Sequence, residues 1–325
     1  MSRKSFLLLA LITLALGVAY FWLHASRPEP TVAREPLLPT LQGRLSEVAA
    51  LEVSSPGQPL VRLERRDNVW LVPAKAAYPA SAAAVNSLLR ALGEARKIEA
   101  KTRNPQLHAQ LGLVEKGPQQ AARINLQVAG GQPLGLLVGK PAQQGEGQLV
   151  RLVGDDQVWL IDKPISLPVE EQQWLDRRVA AIPFASIKRI TVRYANGDRL
   201  SVYRDQASES NFKVDPLPAG QRPPYEAAAN GMANLFGRLE FADAAPLAQV
   251  QFKTPALLEF ELESFSAGQL SGALYAQGEQ FWMTLSKRSD FDAEQLPAKA
   301  DWAYRIETEQ YRALAKTLKE VLTKK

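Results

Sequence analysis

The sequence contains no cysteine among its 325 residues. Disulfide bonds, cysteine-ligated zinc, iron–sulfur clusters and cysteine nucleophiles are therefore excluded. Histidine is nearly as scarce, with only His24 and His108, which leaves no multi-histidine metal site within one chain. We therefore expect no cofactor and no metal ion, and the absence of cysteine is compatible with an oxidising compartment.

The sequence also lacks a concentrated charge of one sign. Its net charge is +5, and residues 1–27 contribute three basic side chains and no acid, which leaves 36 basic and 34 acidic side chains in the rest. A nucleic-acid-binding protein concentrates its positive charge on a face or stripe. The mild basic cluster over residues 316–325 fits the last turn of a helix, so we expect no nucleic acid as a partner.

Residues 6–23 form one uncharged apolar run, FLLLALITLALGVAYFWL. As a helix rising about 1.5 Å per residue it covers about 27 Å, close to the hydrocarbon thickness of a bilayer. A cleaved signal peptide has a shorter apolar region that ends at small residues, whereas this run ends in bulky aromatic residues. We interpret residues 6–23 as an uncleaved transmembrane signal anchor, a single-pass helix in the inner membrane.

The residues on either side of this run predict its orientation. Arg3 and Lys4 precede it, so the positive-inside rule keeps residues 1–5 in the cytoplasm and places the bulk of the chain in the periplasm. Residues 24–40 contain four prolines, a composition typical of a semi-extended spacer. We therefore expect a tether between the membrane and the folded body.

The body contains an internal repeat. The segment ANGMANLFGRL (229–239) aligns with VNSLLRALGEA (85–95), and both place large apolar residues at the spacing of an amphipathic helix. Each of these helices follows a predicted meander of short strands, and Asn196-Gly197 indicates a hairpin in the second meander. Each also precedes further strands and a second helix, expected at 169–175 in the first unit and over 310–322 in the second. Blocks of strands and helices of this kind predict an α+β fold with two tandem units, residues 41–180 and 181–325. Whether the units share one sheet is left open.

The order of these segments resembles a known family, the bacterial domain of unknown function 4340. The resemblance rests on motifs between residues 45 and 178, and the second unit repeats them more loosely. They are the strand with Val48, Leu51 and Val53, a strand with Trp70 before Pro73, the helix at 82–96, the Leu111-Gly112-Leu113 step, the segment Leu134–Lys140, and the strand pair Val150–Leu152 and Val158–Asp162. The resemblance implies an exported, membrane-anchored protein that is accessory to ABC-type transport systems of the gliding-motility kind. It implies no catalytic residue.

The candidates for chemistry each have a structural interpretation that we favour. The segment Leu134–Lys140 ends in Gly-Lys but lacks the earlier glycine and the following Ser or Thr of a phosphate-binding loop. Asp155-Asp156 fits a turn, and Glu170-Glu171 fits the start of a helix. We predict that all three segments serve the fold.

Three further groups of residues are candidate sites. His108 has no nucleophile near it in sequence and is expected at the surface. Ser264 and Ser266 lack the G-x-S-x-G pattern of a nucleophile elbow. Five tryptophans could line a sugar platform, but tryptophan in strands is normally a core residue; they are Trp70, Trp159, Trp174, Trp282 and Trp302. The sequence therefore predicts no catalytic, cofactor-binding or metal site.

We expect a non-enzymatic accessory or scaffold component of an ABC-type envelope transport system, with a protein partner in that complex. The alternative is a periplasmic glycan- or lipid-binding protein that uses a cleft between the two units, because ligand pockets favour domain interfaces. A small ligand is therefore left open. An enzyme such as a hydrolase would need distant polar residues to converge in space.

Overall fold

The computed structural model describes residues 34–117, 119–142 and 146–324. The predicted transmembrane helix at 6–23, and most of the predicted tether, lie outside these residues. Among the helices that the structure describes, none combines the length and apolar character that a membrane crossing needs.

The predicted α+β fold is wrong, because the described residues form mainly antiparallel β-sheet. The nine-stranded sheet has the order β4-β3-β2-β1-β6-β7-β8-β9-β5. Its strands are β1 (Val48–Ser54), β2 (Val61–Arg66), β3 (Val69–Val72), β4 (Tyr78–Pro79), β5 (Lys97–Thr102), β6 (Ala122–Val128), β7 (Leu134–Pro141), β8 (Gln148–Leu152) and β9 (Val158–Ile161).

The eight-stranded sheet has the order β13-β12-β11-β17-β18-β19-β20-β16. Its strands are β11 (Ile187–Tyr194), β12 (Arg199–Tyr203), β13 (Lys213–Asp215), β16 (Asp243–Pro246), β17 (Leu258–Ser264), β18 (Gln269–Gln277), β19 (Gln280–Ser289) and β20 (Trp302–Ile306). Two further pairs are β10 (Arg178–Ala180) with β15 (Leu239–Glu240), and β14 (Gln221–Arg222) with β21 (Thr323–Lys324).

Helices are short and few in the part of the chain that is described. They are α1 (Ala82–Glu94), α2 (Asn230–Gly237), α3 (Thr308–Leu314) and α4 (Leu318–Val321). The helix expected at 169–175 is a single 3-10 turn, Glu171–Trp174. The helix expected over 310–322 is two helices with a break between Leu314 and Leu318. Helix content was therefore overestimated at both of these points.

The two large sheets share one connectivity. When β11 is placed on β1, the orders β3-β2-β1-β6-β7-β8-β9-β5 and β13-β12-β11-β17-β18-β19-β20-β16 match strand for strand. The register agrees as well, since Leu51 pairs with Leu63 and Ile190 with Val202 at equivalent places. The difference is that β4 has no counterpart in the eight-stranded sheet.

The chain divides into two compact units. The smaller unit comprises the described residues up to Ser46, Leu89–Ala121 and Gly135–Ile165. Its core includes Leu113, Ala121, Leu137 and Val158, all buried. These apolar side chains come from strands and from the loop before β6, so their burial holds that loop to the unit.

The larger unit comprises Glu47–Leu88, Ala122–Leu134 and Ser166–Lys325. An aromatic cluster lies in its core, where Tyr78 meets Trp302 edge-on at 4.6 Å and Phe241 at 5.5 Å between ring centroids. Phe241 also lies 5.6 Å from Tyr304. Aromatic pairs in such geometry add to the free energy gained by burying their area.

Candidate functional site: an open edge on the eight-stranded sheet

The eight-stranded sheet has two edge strands, β13 and β16, and β13 is the one whose equivalent in the other sheet is paired. In the nine-stranded sheet the equivalent strand, β3, is covered by β4. Among the strands that the structure describes, none pairs with the outer side of β13. An edge strand exposes backbone donors and acceptors that can pair with another chain.

The two edges differ because the chain takes different routes after β3 and after β13. After β3 it turns back, so that Leu71 pairs with Pro79 and Val72 with Tyr78. After β13 the chain continues to β14, whose Arg222 pairs with Thr323 of β21 instead. The return segment 216–224 contains four prolines, and proline cannot donate to a ladder. That composition disfavours folding back onto β13.

The direction of the backbone groups in β13 follows from the pairing of its neighbours. Arg204 N donates to Lys188 O at 2.9 Å. Because hydrogen-bonded pairs alternate along an antiparallel ladder, Val202 directs its backbone groups to β11. Val214, which lies opposite Val202, therefore directs its N–H and C=O to the open side.

The neighbouring outward donor on this edge is already bonded. Phe212 N donates to Asn230 Oδ1 at 2.9 Å. The Asn230 side chain also donates from Nδ2 to Asn211 Oδ1 at 2.9 Å. The edge is therefore closed by a side chain at Phe212 N and open at Val214.

A surface groove of about 490 Å³ runs along this edge. We call it the β13 groove; it is lined by Tyr203, Asn211, Phe212, Lys213, Val214, Asp215, Leu217, Pro223 and Glu226. Leu217 is 55% exposed at its wall, whereas Phe212 and Val214 are buried beneath it. The groove thus joins an apolar floor to an unpaired strand edge.

The charge of the β13 groove is acidic. Lys213 Nζ lies 2.6 Å from Asp205 and 2.7 Å from Glu209. These hydrogen bonds raise the pKa of Lys213, and the bond from Lys213 holds the pKa of Glu209 below its usual value. The positive charge of Lys213 is paired with Asp205 and Glu209, which do not line the groove. The two acidic side chains in the lining, Asp215 and Glu226, therefore give the groove a net negative charge.

A buried arginine holds the loop that leads into β13. Arg204 is 2% exposed, and its guanidinium donates to Phe184 O and Glu209 O at 2.7 Å each and to Ile187 O at 2.6 Å. It also lies 4.7 Å from the centroid of the Phe212 ring. Arg65, which aligns with it in the first half, donates to Asn68 Oδ1 at 3.0 Å.

Two of the candidates, His108 and the Asp155-Asp156 pair, lie together in the smaller unit. The contacts that His108 and Arg151 make to the two aspartates are to their backbone carbonyls. His108 was predicted at the surface, and this is wrong, because it is 4% exposed with Nε2 at 3.1 Å from Asp156 O. Asp155 closes its turn by accepting from Gln157 N, while Arg151 donates to Asp155 O at 2.9 Å. The His108 ring donates from Nε2 to the carbonyl of Asp156, so these groups hold a turn.

The other candidates are also engaged in local structure. Lys140 lies within β7 and donates from Nζ to Gln110 O at 2.7 Å, so the Gly-Lys segment is strand. Glu171 lies 3.6 Å from Lys75, which also pairs with Asp243 at 3.2 Å. Ser264 Oγ accepts from Gly268 N at 2.8 Å in a turn. None of these contacts gives an arrangement for catalysis.

The tryptophans form no surface platform in the described chain. Four are buried, as expected of core residues: Trp70, Trp174, Trp282 and Trp302. Trp159 is half-buried, with Lys97 Nζ at 4.5 Å from its ring centroid. Across residues 34–117, 119–142 and 146–324, no group of three or more His, Asp or Glu side chains could hold a metal ion.

Sequence reasoning missed the residues of the β13 groove. Two signals could have indicated it: the prolines of the return segment, and the 17 residues between Phe212 and Asn230 against 15 between Trp70 and Asn86. Both point to a return segment that departs from the first half.

The fold and this edge define a protein with two large antiparallel sheets of one connectivity, of which the second lacks a strand beside β13. The family described as Domain of unknown function (DUF4340) matches residues 70–259, and the chain belongs to it. The matched range contains β3 apart from Val69, and all of β13 and the β13 groove. Comparisons with curated proteins and with solved structures give no match.

Proposed function

We propose that this protein is a non-catalytic accessory or scaffold component of an ABC-type envelope transport system. Residues 6–23 would hold it at the inner membrane with its body in the periplasm. The observation that carries the proposal is the open edge at β13, because unpaired strand edges recruit protein segments. The class of complex comes from what the sequence resemblance to the family implies.

The engagement of the candidate polar groups supports a binding role. A catalytic acid, base or nucleophile needs a side chain directed at a substrate position. His108 is directed at a backbone carbonyl, and Ser264 at a backbone N–H. Both side chains stabilise turns in the described structure.

The proposal is tested by crosslinking in intact cells, purification of the tagged full-length chain in mild detergent, and mass spectrometry. We expect ABC permease and ATPase subunits at near-stoichiometric levels. The matched control carries an unrelated single-span anchor in place of residues 6–23. If the rest of the chain recruits the transport subunits, this variant copurifies with the same subunits. Recovery of the protein alone, in both forms, would contradict the proposal.

The second candidate is a periplasmic glycan- or lipid-binding protein. The β13 groove, at about 490 Å³, falls within the roughly 300–1,000 Å³ of ligand pockets. All residues that line this groove belong to the second half of the chain. The groove is therefore a different place from the predicted cleft between the two halves. A thermal shift of the full-length protein with envelope glycans or lipids, lost in a Leu217→Glu variant, would favour this candidate.

A further inference from the structure

We propose that an extended segment of a partner protein pairs antiparallel with β13 in the β13 groove and takes the place that β4 takes beside β3. This inference deepens the proposed function and rests on it for the identity of the partner. The molecule itself provides the template, because the two large sheets match strand for strand apart from β4.

The register of the incoming segment follows from β3 and β4. Ala80 N donates to Trp70 O at 2.7 Å, and Val72 pairs with Tyr78. The positions equivalent to Trp70 and Val72 are Phe212 and Val214, since Glu64 pairs with Leu71 and Tyr203 with Lys213 at matching places. These are the two residues of β13 whose backbone groups point outward.

Three backbone bonds are therefore available to the segment. Val214 offers its N–H and its C=O, and Phe212 offers its C=O, whereas Phe212 N is held by Asn230. The same carbonyl position receives the bond from Ala80 in the nine-stranded sheet. The side chain of Asn230 thus removes one donor from the edge, and the register of the segment is set by its side chains.

The side chains of the groove define the chemistry of the occupant. The residue opposite Val214 lies on the same face as Phe212 and Val214, so an aromatic or large aliphatic side chain fits, as Tyr78 does beside Val72. The preceding residue lies opposite Asp215, by continuation of the β3–β4 register. A basic side chain there is favoured by the acidic charge of Asp215 and Glu226.

The second wall of the groove favours a free segment over another folded sheet. Pro223 and Glu226, which lie outside β13 in the chain, also line the groove and form what we call its second wall. A second copy of this chain would bring its own equivalent wall to the same edge. The space between β13 and this wall suits a single extended strand from a partner.

The test measures binding of a fluorescein-labelled peptide, KAKYPAS, to the full-length protein in mild detergent by fluorescence anisotropy. The peptide is Lys75–Ser81 with the residue at the Ala77 position changed to lysine, to face Asp215. We expect saturable binding. N-methylation of its tyrosine, or of the alanine after proline, removes one backbone bond and weakens binding about tenfold.

Matched controls separate strand pairing from general attraction. N-methylation of the lysine before tyrosine modifies an amide that faces away from β13 and leaves the affinity within about twofold. Glu226→Lys weakens binding, and Glu279→Lys, at an exposed turn elsewhere, does not. The peptide KAEYPAS binds more weakly than KAKYPAS.

Three results would overturn the inference. They are the absence of saturable binding up to about 1 mM peptide, an equal loss from all N-methylated peptides, and a dimer in light scattering that Val214→Pro converts to monomer. The last result would identify a second copy as the occupant. If the peptide binds but no transport subunits are recovered, strand pairing in the β13 groove stands and the transport role is rejected. If transport subunits are recovered but the peptide does not bind, only strand pairing in the groove is rejected.

Discussion

At the scale of single residues, Arg204 makes the clearest prediction. Its buried guanidinium serves several backbone carbonyls at once, including those of Ile187 and Glu209. Arg204→Met leaves these acceptors without a donor, and we expect the free energy of unfolding to fall by about 3 kcal/mol. Urea unfolding followed by circular dichroism measures it.

An exposed arginine provides the control for Arg204. The side chain of Arg238 is 88% exposed and lies 3.4 Å from Glu240. We expect Arg238→Met to change stability by less than about 0.5 kcal/mol. Equal losses in the two variants would mean that the buried carbonyl contacts of Arg204 do not stabilise the fold as argued.

Tyr304 makes a prediction for alkaline pH. Burial raises the pKa of its phenol from the usual 10.0 to about 12, and burial also raises the pKa of Tyr78. Because the folded state holds the proton more tightly, the contribution of Tyr304 is complete below pH 10.0 and is lost as the pH rises to about 12. Unfolding measured across this interval should show a steeper loss in the wild type than in Tyr304→Phe. Parallel curves would contradict this.

At the scale of elements, hydrophobic periodicity predicted helix α1 correctly. It overestimated the length of the helices expected at 169–175 and 310–322. Helix α1 buries Val85, Leu88, Leu89 and Leu92 as its spacing indicated. The last helix breaks where Tyr194 donates its hydroxyl to Lys316 O at 2.6 Å. A contact from a strand so distant in sequence has no signal in a local window of residues.

The break creates a new helix start, which gives a prediction for α4. Glu320 accepts from Thr317 N at 2.8 Å and from the Thr317 hydroxyl at 2.9 Å. We expect Glu320→Ala to lower stability by about 1 kcal/mol, measured by chemical denaturation. Lys319→Ala, on the exposed side of the same helix, is the control. No difference between the two would show that this cap contributes little.

The candidate site was beyond sequence reasoning for a physical reason at the same scale. Strand patterns indicated β11 and β12, and the Asn196-Gly197 turn indicated their hairpin. The open edge depends on where the return segment pairs, and β14 pairs with residues about a hundred positions away. His108 was misplaced for a similar cause, because its burial depends on contact with the turn at Asp156.

At the scale of the whole molecule, the family was recognisable from ordered motifs while the fold class was not. The matched residues 70–259 span parts of both sheets, so the order of many weak motifs carried more information than any one of them. The α+β prediction failed because two amphipathic helices were weighted equally with long antiparallel ladders. In the described structure the helices are short, and each buries only part of its surface.

The central claim is that the β13 groove meets a subunit of an envelope transport complex, and site-specific photocrosslinking in cells tests it most directly. A photoreactive amino acid at Leu217, 55% exposed on the groove wall, is compared with one at Val169, also 55% exposed but outside the groove. We predict an adduct with the periplasmic part of an ABC permease subunit from position 217 and none from 169. The claim is contradicted if position 217 gives no adduct, or if both positions give the same one.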